Sequence, residues 1–209
     1  MIFDNFREIS GALTVILSVL VYAPLIAQNA KGKLKSHPVT WAIVTLSGGT
    51  NAVILWFNHA GPGAWAPLFA AVCCLVLTIV SFFSYRKTDR ITRRDIFFFC
   101  LGLAALILWL ISRDLAALSV VLLTIANTFG FVPTFIKTWR QPRSESLYTW
   151  IIFQLMAIFG IVATAHFDFV NLFQRIANII INGSVIWIMI ARRRKPSRSV
   201  NKPAPKPHS

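Results

Sequence analysis

The chain has 209 residues, of which 56% are hydrophobic and 13% charged, and a formal net charge of +14. Soluble domains carry about 25% charged residues, so this balance excludes a soluble enzyme, a disordered chain and a secreted disulfide scaffold. Three cysteines, Cys73 and Cys74 adjacent and Cys100 apart, form no Cys/His ligand spacing, which leaves no zinc site and no bridge framework.

A bilayer core of about 30 Å takes roughly 20 apolar residues of helix. Apolar runs between charged or Pro/Gly breaks predict seven spans in chain order: 10–28, 39–57, 64–85, 96–112, 115–136, 147–165 and 169–191. The fold class expected is therefore an all-α integral membrane protein. The loops after spans one, three and five carry Lys31, Lys33 and Lys35, then Arg86, Lys87, Arg90, Arg93 and Arg94, then Lys137, Arg140 and Arg143. With the tail after span seven they hold 18 of the 21 Lys and Arg. Positive-inside reasoning puts them in the cytoplasm and the N-terminus outside, in the cytoplasmic (inner) membrane of a cell. Dispersed over short loops, this charge reads as topology and not as a nucleic-acid surface. The segment 192–209 reads as a disordered basic cytoplasmic tail that can touch anionic headgroups.

An internal repeat links the two halves. Pro24, Thr40 and Trp41 reappear as Pro133, Thr149 and Trp150, each at an offset of 109 residues. The repeats are 10–85 and 115–191, and 96–112 joins them. Three helices per repeat plus one joining helix make the copies parallel, a three-plus-one-plus-three arrangement. On these prolines, matched basic linkers and layout, the chain resembles the PQ-loop and SWEET-type seven-helix membrane proteins over roughly residues 10–191. The glutamine that follows proline in that family's motif is Leu25 and Thr134 here. The resemblance implies two three-helix bundles around a path for sugars, amino acids or vitamins, with Pro24 and Pro133 as gate hinges. It also implies paired polar positions in spans three and seven, which sets Asn182 opposite Cys73.

Polar residues inside spans are costly and face the bundle or water. Gln174, Asn178 and Asn182 follow at i, i+4 and i+8 on one face of span seven. Span two adds Asn51 beside Gly48-Gly49, span five Asn127, and span six Gln154. Amides both donate and accept, which suits a small polar solute; hydrogen bonding between helices is the alternative use. Arg175 is expected to snorkel to the surface or pair with Asp168, and Trp56 and Trp187 to meet lipid or stack on a ligand. The seven Asp and Glu all lie at or beyond span ends, which speaks against proton coupling. No nucleophile with its base, phosphate loop or acidic pair is present, so neither an enzyme nor a cofactor is expected. The sequence thus points to a facilitator of a small polar metabolite. A receptor or assembly factor using the same bundle is the alternative, and a homo-oligomer is left open.

Overall fold

The computed structural model describes residues 2–32, 38–83, 93–143 and 146–193. The described residues form seven α-helices and two short 3-10 turns: α1 (Ile2–Ala30), α2 (Pro38–Phe57), η1 (Gly61–Ala64), α3 (Trp65–Phe83), α4 (Arg93–Ile111), η2 (Arg113–Leu115), α5 (Ala116–Arg140), α6 (Leu147–Val162) and α7 (Phe169–Arg193). Lys33, Lys35, Arg86, Lys87, Arg90 and the expected tail from 194 onward lie outside the described residues; Arg192 and Arg193 extend α7.

Starts and stops follow local chemistry. Asp168 precedes α7, and its carboxylate accepts the Asn171 N–H at 2.8 Å, satisfying one of the donors a helix start leaves free. Ser146 caps α6 in the same way through the Thr149 N–H. The left-handed backbone of His59 and Gly61 turns the chain out of α2 into η1. The Gly61 turn also brings the Ala60 carbonyl to the Ala165 N–H at 2.9 Å, and a Cβ on Gly61 would meet that of Ala165 at 2.9 Å. Only glycine meets both demands at once.

The helices share one end of the bundle. Gly11 of α1 abuts Pro62 of η1, while Asn29 at the far end of α1 donates to Ser81 at the far end of α3. Arg175, near the start of α7, reaches Gly63 of η1. α1, α3 and α7 therefore all run away from the η1 end, and α2 and α6 return to it. α3 packs against α1 and α2, α7 against α5 and α6, and α4 against α2 and α5; α1 touches α6 and α2 touches α5. One apolar core joins Ile54 of α2, Ala105 and Trp109 of α4, and Val120 and Leu123 of α5. A second gathers Trp150, Val185 and Met189.

The expectation of seven spans in a three-plus-one-plus-three repeat is corrected here. Among the described residues, three helices are long and apolar enough to cross a membrane: Phe3–Ala30, Gly61–Phe83 and Phe169–Arg193. The apolar parts of α2, α4 and α6 are Trp41–Phe57, Ile96–Ile111 and Leu147–Val162. At 1.5 Å per residue the stretches of α4 and α6 reach only about 24 Å, short of the roughly 30 Å core. Counting breaks in hydropathy located the helices; it overstated how many of them have the length of a span.

Candidate functional site

Up to Asn182, α7 is inverted relative to a soluble helix; beyond it the buried positions are Val185, Ile188 and Met189. Its buried positions include Asn171, Gln174, Arg175 and Asn182, whereas Phe169, Ile176, Ile180 and Trp187 face outward. The i, i+3/i+4 recurrence of the buried set defines one stripe. Such a stripe keeps polar groups among helices and gives hydrocarbon to the surroundings, the arrangement a lipid solvent favours. Asn178 belongs to the same stripe. Its side-chain oxygen accepts from Nδ2 of Asn127 on α5 at 3.1 Å, so two of the expected binding residues are in contact.

The other expected residues are distributed as follows. Asn51 is buried on α2, and its side-chain oxygen accepts no hydrogen bond from the described residues; the same holds for Gln174 on α7 and Gln154 on α6. Asn182 is buried one turn beyond Asn178. Cys73 is buried on α3, which packs against α1, α2 and η1, whereas Asn182 sits on α7 against α5 and α6. Pro24 lies within α1, which continues through it to Ala30, and it faces outward. Pro133 lies within α5, with its side chain outside the described set.

Sequence reasoning missed the centre of the polar network. Arg175 does not snorkel and does not pair with Asp168: it is only 8% exposed. Its Nε donates to the Asn171 carbonyl at 3.0 Å and its Nη2 to the Gly63 carbonyl at 2.7 Å. Two glycines make room for the guanidinium. A Cβ on Gly160 of α6 would lie 2.5 Å from Nη1, and one on Gly63 would lie 3.1 Å from Nη2 and 3.0 Å from the Thr164 Cα. Asn171, 1% exposed, forms the next layer. Its Nδ2 reaches the carbonyls of Asn58 and His166 and the carboxylate of Asp168, which also accepts from Nδ2 of Asn58. Arg175 and Asn171 thus clasp α2, η1, α6 and α7 together at one end. Most partners in this clasp are backbone carbonyls, which leave no mark in a sequence.

No family model, curated protein or solved structure matches the chain. The resemblance to PQ-loop and SWEET-type proteins is corrected accordingly: the prolines and linkers that carried it are too few to define a family, and Leu25 and Thr134 stand where its motif has glutamine. With three helices of membrane-crossing length and an inside-out α7, the chain is a multi-pass membrane protein.

Proposed function

We propose that the protein is a facilitator that passes a small polar metabolite, of the sugar, vitamin or amino-acid class, across a cell membrane. The observation that carries this reading is the amide stripe of α7. Gln174, Asn178 and Asn182 lie along about 12 Å of helix at 1.5 Å per residue, inside a bundle whose outer surface is apolar. A buried amide without a partner costs about 1–3 kcal/mol, and the free oxygens of Gln174 and Asn51 are acceptors that a hydroxyl or amine of a solute satisfies. Pro24 and Pro133 interrupt the hydrogen-bond ladders of α1 and α5 and supply bending points. In this reading the chain is not an enzyme and carries no cofactor.

One observation favours the rival reading. The Asn127–Asn178 hydrogen bond pairs these two amides across α5 and α7 without a ligand, as a receptor or assembly factor with a sealed bundle requires. Flux separates the two. In reconstituted vesicles challenged with glucose, serine or nicotinamide, at least one solute enters faster than in protein-free vesicles. Asn178→Ala and Asn182→Ala each reduce that flux roughly ten- to a hundredfold, the equivalent of one lost buried hydrogen bond. Rates equal to protein-free vesicles across a wider panel of sugars, amino acids and vitamins leave the receptor reading.

A further inference from the structure

The outward side of α7 carries a groove of about 560 Å³, lined by Trp139 of α5, Gln154 of α6, and Ile179, Ile180, Gly183 and Trp187 among the α7 residues. Exposed apolar surface is general on this molecule and marks nothing by itself. This groove differs in three respects. First, it is concave where α7 lacks a side chain: a Cβ on Gly183 would meet nothing within 4 Å. Second, its wall holds the buried Gln154 side-chain oxygen, which accepts no hydrogen bond from the described residues. Third, a cation is fixed at one end of it. The Arg192 guanidinium lies 4.6 Å from the centre of the Trp139 ring, and its Nε donates to the Trp139 carbonyl at 3.3 Å.

We propose that this groove binds one anionic phospholipid. Its phosphate sits beside Arg192, with the exposed Arg140 next to Trp139 in the chain; one acyl chain runs past Gly183 between Trp187 and Ile180. The charge selects the ligand, because a cation stacked on an indole at the end of an apolar trough matches an anionic headgroup joined to a hydrocarbon tail. The two tryptophans suit the boundary between headgroup and hydrocarbon. From Ile179 to Ile188 the trough follows about 14 Å of α7, so the tail lies along the helix and the phosphate stays at the C-terminal end. Gln154 lines the trough partway down, at the level of the glycerol region, and rotation of its buried amide brings a donor to an ester carbonyl.

The test is native mass spectrometry of delipidated protein in detergent, titrated with phosphatidylglycerol or phosphatidylcholine of equal chain length. One phosphatidylglycerol is retained at concentrations where phosphatidylcholine is not. Arg192→Gln weakens that retention roughly fivefold, the effect of one basic residue near a lipid surface. Gly183→Leu, whose Cβ enters open space, fills the trough and removes the preference. Arg113→Gln changes a comparable stacked cation, 3.6 Å from the Trp109 ring at the other end of the bundle, and leaves retention intact. Equal retention of the two lipids overturns the proposal, as does loss of retention in Arg113→Gln alone. So does a dimer of the chain that Gly183→Leu dissociates regardless of lipid, since the groove then holds a second copy.

Discussion

Arg175 shows how a charge is held inside this bundle without a carboxylate against it. Its two hydrogen bonds go to carbonyl oxygens, and its planar fork fits between Gly63 and Gly160. Lysine has one compact ammonium and cannot reach both carbonyls in that plane. Arg175→Lys is expected to lower stability by roughly 1.5–3 kcal/mol, the value of one charge-assisted hydrogen bond, read by thermal unfolding in detergent. The glycines give a matched pair. Gly63→Ala places a methyl 3.0 Å from the Thr164 Cα, a backbone atom that cannot step aside, and overpacking of this kind costs about 1–3 kcal/mol. Gly183→Ala points into open space and gains up to about 1 kcal/mol of helix propensity. Equal melting temperatures for the two alanine variants would show that the space around Gly63 is not limiting.

Among the elements, α7 was the most legible. Amides are rare in an apolar run, so three of them at helical spacing announce a buried face, and the structure buries Gln174 and Asn182 and pairs Asn178 with Asn127. The same stripe extends to Asn171, which lies near the start of α7 and is nearly inaccessible, its Nδ2 donating to the His166 and Asn58 carbonyls. α1 extends beyond the apolar run at its start. The span expected from residue 10 is the interior of a longer helix that begins at Ile2, with Arg7 and Asp4 one turn apart at 3.8 Å. Charges end an apolar run without ending a helix. The interhelical pair offers a direct measurement: in a double-mutant cycle of Asn127→Ala and Asn178→Ala, the coupling should fall near 0.6–1.7 kcal/mol, the range for hydrogen bonds between membrane helices. A coupling of zero would mean that each amide finds another partner once its mate is gone.

For the whole molecule, the clearest consequence is the sidedness of its ends. The start of α1 lies at the η1 end, because Gly11 touches Pro62; the start of α7 lies there too, because Arg175 reaches Gly63. Since α7 runs 25 residues away from that point, its Arg192-Arg193 terminus lies at the opposite end of the bundle from Phe3. α1 and α7 are both long and apolar enough to cross the bilayer, and they cross in the same direction. Phe3 and Arg192 must then face different aqueous compartments. Cys73, Cys74 and Cys100 are free thiols and are first replaced by alanine or serine. Single cysteines at position 3 or 192 of that background are next exposed, in sealed vesicles of uniform orientation, to a membrane-impermeant maleimide. One of the two should label before lysis and the other only after. Labelling of both before lysis would place α1 and α7 on the same surface, and would remove the parallel packing on which the inward-facing stripe of α7 depends.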